Sequence, residues 1–353
     1  MEKMLMKGNE ALAEAAIRAG CKCFFGYPIT PQTEVAAYLS RQLPKNGGVF
    51  LQAESEVAAI NMVYGAAAAG VRTMTSSSSP GISLKAEGIS YLCGADLPCV
   101  IINVQRGGPG LGGIQPSQAD YWQATKALGH GDSRVFVYAP NSVQEMVNLV
   151  VIAFDKADEY RVPAMILADG LLGQMMEPVS FPEISANKTE KPWATDGHGN
   201  NRPHNIANSL YLKPDVLENS IWERDSRYKQ MEMTETMADY YCCDDAEIVV
   251  AAYGASSRIC KSAVKAARDQ GIKAGLFRPV TLFPFPKNEL KTACRNAKKV
   301  LTVEMSTGQM VEDVKLALEC KIPVEFYGRT GGIIPTPDEV LAEIKKLNEN
   351  KGE

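Results

Sequence analysis

The chain alternates short apolar runs with longer stretches of helical period, and the alternation breaks once. In the first half, apolar runs at residues 23–25, 49–52, 71–75, 98–104, 135–138 and 164–167 have the length of strands. Helical patterns lie between them at 9–18, from Pro31 onward, and at 56–69, 82–93 and 143–157. Asn9 is placed to cap the first helix, and Gly70 to end the one before it. The 98–104 run suits a strand buried on both faces of a parallel sheet. Strand–helix alternation with short loops predicts a doubly wound parallel α/β sheet over residues 1–180.

The pattern fails from about Glu177 to Cys243. Pro, Asn, Asp, Lys and Gly crowd residues 183–205, and the charged, Met-rich stretch 222–241 predicts a helix. So long an irregular stretch is uncommon inside a compact domain. Residues 181–244 therefore read as a connector, with a face for a partner subunit. A second, smaller α/β pattern fills 245–353. Its strands are expected at 248–253, 272–277, 300–304 and 324–326, and its helices at 254–269, 287–296, 309–318 and 337–348.

Composition narrows the class. A chain of 353 residues suits two domains, and 45% hydrophobic with 22% charged residues is ordinary for a globular protein. A net charge of −4 without a basic cluster argues against nucleic acid as a partner. No apolar run approaches the ~20 residues that cross a bilayer. The first residues lack the ~7–15 apolar positions of a signal peptide. The expectation is a cytoplasmic protein with no membrane partner. The nine cysteines include Cys21 and Cys23, and adjacent Cys242 and Cys243, but no C-x-x-C and no cluster-binding run. They read as reduced, mostly buried thiols. The three histidines have no metal-ligand spacing, so no metal site is expected on this chain.

Four segments carry candidate chemistry. In Tyr27-Pro28-Ile29-Thr30-Pro31 an apolar run ends at Gly26, and two prolines bracket a threonine. Fixed φ at both prolines holds the Thr30 hydroxyl at a strand's carboxyl end, where α/β sheets bind ligands. Glu54 and Glu56 flank the start of an apolar helix. Such an acid is either a charged cap or a carboxyl directed into an apolar cleft, where it could share a proton with a ring nitrogen. Ser76 to Ser79, then Pro80-Gly81, form a hydroxyl-rich turn on the same expected rim. Gln105-Arg106-Gly107-Gly108-Pro109 ends a buried strand in one arginine and a glycine chain that runs to Gly113. The guanidinium fork can hold a carboxylate, and the glycines allow close backbone approach. The segment is neither a dinucleotide nor an NTP loop. Gly254-Ala-Ser-Ser could bind an anion at a helix N-terminus, though a tight turn with a cap is enough to explain it.

Together, in this order and spacing, these motifs resemble the α subunit of the 2-oxoacid:ferredoxin oxidoreductases over nearly the whole chain. The resemblance implies a pyrimidine-binding thiamine diphosphate domain over 1–180, and a transketolase C-terminal-like domain over 245–353. It implies oxidative decarboxylation of a 2-oxoacid to an acyl-coenzyme A and carbon dioxide, with reduction of ferredoxin. It places the catalytic glutamate at Glu56, with Glu54 as the competitor, and the substrate at Thr30 and Arg106. Tyr27, Pro28, Ile29, Glu56 and Ser79 would line the thiamine diphosphate. That cofactor would be shared with a β subunit that holds the magnesium and the diphosphate. The [4Fe-4S] clusters would sit on partner subunits of γ and ferredoxin-like type, and coenzyme A would be a substrate. 2-Oxoglutarate-type subunits typically follow Arg-Gly-Gly-Pro with Ser-Thr-Gly. Here Gly110-Leu111-Gly112-Gly113-Ile114 follows. That is closer to the branched-chain type, acting on 3-methyl-2-oxobutanoate, with 2-oxoglutarate, pyruvate and a non-oxidative thiamine diphosphate decarboxylase as alternatives.

Overall fold

The computed structural model describes residues 3–183 and 189–349; connector residues 184–188 and both chain ends of the expected domains lie outside the described residues. Seven strands form the larger sheet, in the order Thr281–Phe283, Phe136–Tyr138, Ala164–Asp169, Val100–Gln105, Thr73–Ser77, Cys23–Gly26 and Val49–Gln52. All neighbours are parallel except Thr281–Phe283 on Phe136–Tyr138. Val100–Gln105 is buried throughout at the centre, as its apolar run predicts. Helices Gly8–Arg18, Thr33–Gln42 and Val143–Tyr160 pack together, as do Glu56–Ala68 and Pro80–Gly94. After Cys23–Gly26 the chain steps outward to the edge strand Val49–Gln52, then returns across Cys23–Gly26 to Thr73–Ser77. This reversal is the switch point at which open α/β sheets form a crevice.

Serine caps set the register of two helices. Ser55 Oγ accepts from Ala58 N at 3.1 Å, and Ser142 Oγ from Glu145 N at 3.1 Å. Gly70, at φ 80°, follows the end of Glu56–Ala68 as expected. Asn9 does not cap. The helix begins at Gly8, and the buried Asn9 instead donates to Pro31 O at 2.8 Å and to Glu34 Oε2 at 2.9 Å. A long-range demand outweighs the local one, and Asn9 pins the Pro31 loop.

The second sheet has the order Val324–Gly328, Lys299–Glu304, Ile248–Ala251, Ala274–Pro279 and Ala238–Tyr241, the last antiparallel. The expected helix over 222–241 is thus two elements: Pro214–Thr234 is helical, and Ala238–Tyr241 is an edge strand. The helix buries Arg224, Tyr228 and Met231, and Arg224 Nη2 donates to Gly94 O at 2.8 Å. Thr281–Phe283, from the second sequence unit, completes the edge of the first sheet. Arg278 beside it pairs with Glu145 at 2.7 Å and with Asp239. Among the described residues no helix is long and apolar enough to cross a membrane.

Candidate functional site

The four candidate segments follow four strands that are neighbours in the sheet. Thr30 follows Cys23–Gly26, Glu56 follows Val49–Gln52, the serine turn ends Thr73–Ser77, and Arg106 ends Val100–Gln105. Their parallel pairing brings all four to one carboxyl-end rim.

Tyr27, Pro28 and Thr30 are exposed on that rim, and Ile29 is half-buried. The prolines do not hold this loop alone. Buried Gln32 accepts from Ser76 Oγ at 2.5 Å, and Asn9 holds the Pro31 carbonyl.

Glu54 is exposed, whereas Glu56 is 6% exposed at the first position of its helix. The Glu56 carboxylate lies against Gly81. A Cβ built on Gly81 would stand 2.8 Å from Glu56 Oε1 and 2.1 Å from Ser77 Oγ, so only glycine fits. The hydroxyls of Ser77 and Ser78 are buried without a hydrogen-bond partner. No protein group among the described residues donates a hydrogen bond to the Glu56 carboxylate. Buried polar groups are ordinarily satisfied. An acid and a hydroxyl left without partners around a cradle that lacks a side chain fit the polar edge of an aromatic ring, as an aminopyrimidine presents.

Ser79 has φ 24° and ψ −83°, a strained conformation of the sort that costs on the order of 1–3 kcal/mol and must be held by its surroundings. Asn103 Oδ1 accepts from Ser79 N at 3.1 Å, and Ser79 Oγ donates to Asp120 Oδ2 at 2.6 Å. Burial pushes the Asp120 carboxyl up, against the pull of its bonds to Ser79 and Asn103. Ser79 Oγ also accepts from Arg106 N at 3.0 Å. The Arg106 side chain reaches Thr30 O at 3.0 Å and Leu111 O at 3.2 Å, while its buried Nε has no partner. Thr30, Arg106 and Ser79 therefore form one connected group. Glu56 adjoins it through Ser77 and Gly81.

The second unit closes the Ser79 and Arg106 part of this rim into a cleft of about 840 Å³, lined on one side by Ser79, Arg106 and Leu111 and on the other by Met305, Ser306 and Thr330; Glu56 and Thr30 are not among the residues that line it. Gln118 rivets the two sides. It donates to Tyr253 O at 2.8 Å, and its Oε1 accepts from Ser256 Oγ at 2.6 Å and from Met305 N at 3.0 Å. Ile114 instead faces a neighbouring cavity with Thr30, Leu171 and Met175. Among the described residues no group of three or more His, Cys, Asp or Glu side chains could hold a metal ion.

Sequence reasoning missed Lys85, Asn103 and Asp120. A single acid in a polar loop carries no local signal, and a lysine within a helical pattern reads as a solvated face. Asn103 did leave a trace, as a polar position between apolar neighbours in a strand buried throughout.

Fold and rim together define an α/β subunit of the thiamine diphosphate class. A split-gene transketolase chain superposes with TM-score 0.63 at 16% identity, over 98% of this chain and 99% of that one, which is a likeness of fold. The family model described as "Pyruvate flavodoxin/ferredoxin oxidoreductase, thiamine diP-bdg" matches residues 14–240, and "Pyruvate:ferredoxin oxidoreductase core domain II" matches 246–340. The chain belongs to the 2-oxoacid:ferredoxin oxidoreductase family. It is 50% identical over 348 residues to the ketoisovalerate oxidoreductase subunit VorB of Methanothermobacter marburgensis, covering 98% of each chain. It is 37% identical over 385 residues to the 2-oxoglutarate synthase subunit KorA of Methanothermobacter thermautotrophicus, covering 98% of this chain and 99% of that one. A 2-oxoglutarate:ferredoxin oxidoreductase from Magnetococcus marinus, solved with 2-oxoglutarate, coenzyme A and succinyl-CoA bound, superposes with TM-score 0.87 at 26% identity. That likeness covers 98% of this chain, which spans 65% of the solved chain.

Proposed function

We propose that this chain is the subunit that activates thiamine diphosphate in an oxidoreductase converting 3-methyl-2-oxobutanoate to its acyl-coenzyme A and carbon dioxide, with ferredoxin as electron acceptor. The carrying observation is Glu56, a buried carboxylate to which no described protein group donates, set across Gly81 from the orphaned Ser77 hydroxyl on the rim. Glu56 Oε1 would hold and exchange a proton with the pyrimidine ring nitrogen, and Ser77 would meet the ring's polar edge. Tyr27, Pro28, Ile29 and Ser79 would line the cofactor beside it. Bound thiamine diphosphate supplies the electron sink for decarboxylation. Thr30 and Arg106 would orient the 2-oxoacid, with the open Arg106 Nε facing its carboxylate. Leu111, which lines the same cleft as Arg106, suits a branched apolar tail better than a second carboxylate. The 50% identity to a ketoisovalerate subunit, against 37% to a 2-oxoglutarate one, favours the same substrate.

Magnesium and the diphosphate would belong to a β subunit, and the [4Fe-4S] clusters to γ and ferredoxin-like subunits. The complete complex would act in the cytoplasm. The test is a substrate panel on the reconstituted complex with coenzyme A and a viologen acceptor. 3-Methyl-2-oxobutanoate should show the highest kcat/KM, and this chain alone should turn over nothing. Preference for 2-oxoglutarate or pyruvate would overturn the substrate assignment. Activity of the single chain would overturn the shared site.

A further inference from the structure

Lys85 stands in the helix Pro80–Gly94, one turn beyond Gly81, and none of its surface is exposed. Burying an ammonium is costly unless it is compensated. Desolvation accordingly draws its pKa down to about 7. Its Nζ donates to Thr75 Oγ1 at 2.7 Å and to Ser76 O at 3.0 Å. Neither acceptor is an anion, and an ammonium brings three donors. A methionine would fill this space without desolvating a charge.

The position of the amine supplies a reason for it. Helical side chains lean toward the helix N-terminus, over the residue four places earlier. For Lys85 that residue is Gly81, whose missing side chain makes room for Glu56 Oε1 and Ser77 Oγ. The Ser76 carbonyl that Lys85 holds belongs to the peptide leading into Ser77. The amine thus lies behind the strand end that carries the open hydroxyls. Two titratable groups act on its charge through space: Glu56 from the helix Glu56–Ala68, and Cys99 from the segment entering Val100–Gln105. Burial holds the Cys99 thiol far above its usual range, and so uncharged. Glu56 is the anion left to balance Lys85.

We propose that Lys85 is a positioning residue that acts through Glu56, the buried counter-cation set behind a carboxylate to which no described group donates a hydrogen bond. The inference rests on the thiamine diphosphate reading of the Glu56 site. Lys85 itself touches neither ring nor substrate. Removing its charge makes Glu56 harder to ionise. The pH at which the acid comes into play then rises, both in cofactor binding and in turnover.

The test uses the assembled complex, stripped of thiamine diphosphate, in wild-type, Lys85→Met, Glu56→Gln and doubly substituted forms. Cofactor affinity is measured by calorimetry across the acidic-to-neutral range, and kcat is profiled over the same range. In Lys85→Met the acid limb of both curves should move up by about one pH unit, the size of shift that one nearby opposite charge produces. In the Glu56→Gln background the lysine change should have no further effect. Lys85→Gln, which keeps a donor for Thr75 and Ser76 but no charge, should behave as Lys85→Met. An unmoved limb, a wild-type limb in Lys85→Gln, or an equal effect in the Glu56→Gln background would each reduce Lys85 to a packing element. If Glu56→Gln itself binds thiamine diphosphate with wild-type pH dependence, the cofactor reading of the Glu56 site fails instead.

Discussion

Two buried glutamates stand at the heads of helices in this molecule, and they are treated in opposite ways. Glu304, at the end of Lys299–Glu304, is fully buried and fully occupied. Its carboxylate accepts from Gln309 N, Met310 N and Val311 N at 3.0–3.2 Å and from Ser306 Oγ at 3.0 Å. It satisfies the open amides of the helix Met310–Ala317 and, with them, fixes the Met305–Gln309 wall of the cleft. Glu56 also heads a helix, but there Ser55 takes the capping bond. The Glu56 carboxylate is left with a glycine, the unpartnered Ser77 hydroxyl across it, and a buried amine that does not bond to it. One acid is consumed by the fold and the other is held in reserve. Burial alone does not distinguish them; the hydrogen-bond inventory does.

The widest separation should come from removing one charge at each site. Glu56→Gln changes no volume and breaks no protein hydrogen bond. It should lower kcat of the reconstituted complex by about 10²–10⁴-fold, the range for a lost acid–base group, with little change in unfolding midpoint. Steady-state turnover with a viologen acceptor measures it. A rate near wild type would make Glu56 as structural as Glu304.

Glu304→Gln should do the reverse. The amide presents one oxygen and one NH2 to a ring of donors. Part of the cage then loses its acceptor, at a cost of roughly 1–3 kcal/mol. The unfolding midpoint should fall, while complex that remains assembled keeps most of its turnover. Parallel thermal melts and assays of the two variants decide the matter. Loss of turnover without loss of stability at Glu304 would dissolve the distinction.

Much of this contrast was legible in the sequence, because strand ends and helix starts are local events. Ser55 before Glu56, the prolines around Thr30, and Arg106 at the close of an apolar run each announce a rim position. Parallel pairing then brings all of them together. What stayed hidden depends on distant partners. Asn9 has the composition of a cap, yet serves the Pro31 carbonyl. Ala238–Tyr241 continues a helical pattern, yet finds an open edge on Ala274–Pro279. Thr281–Phe283 sits within the second sequence unit, yet pairs with Phe136–Tyr138 in the first sheet. No periodicity encodes which edge is vacant. Glu304 gave no warning either, since its donors are backbone amides that any sequence supplies.

The smallest effect concerns the charge behind Glu56, and its sign is fixed by linkage. The Lys85 ammonium is drawn down from its ordinary 10.5 to about 7 in the folded chain. Below that value both folded and unfolded forms carry the proton, and the full cost of burying the charge is felt. As pH rises above about 7, the folded form releases its proton while the unfolded form retains it, so stability climbs with pH across this interval. Lys85→Met has no such proton to release. The variant should therefore melt higher than wild type at neutral pH, and the gap should narrow steadily as the solution is made alkaline. Taking the difference between the two proteins cancels the other titrating groups. Thermal midpoints of the cofactor-free complex at stepped pH provide the measurement. A gap that holds constant would show an amine that keeps its proton as firmly in the folded chain as in the unfolded one, and so carries no unbalanced charge where it is buried.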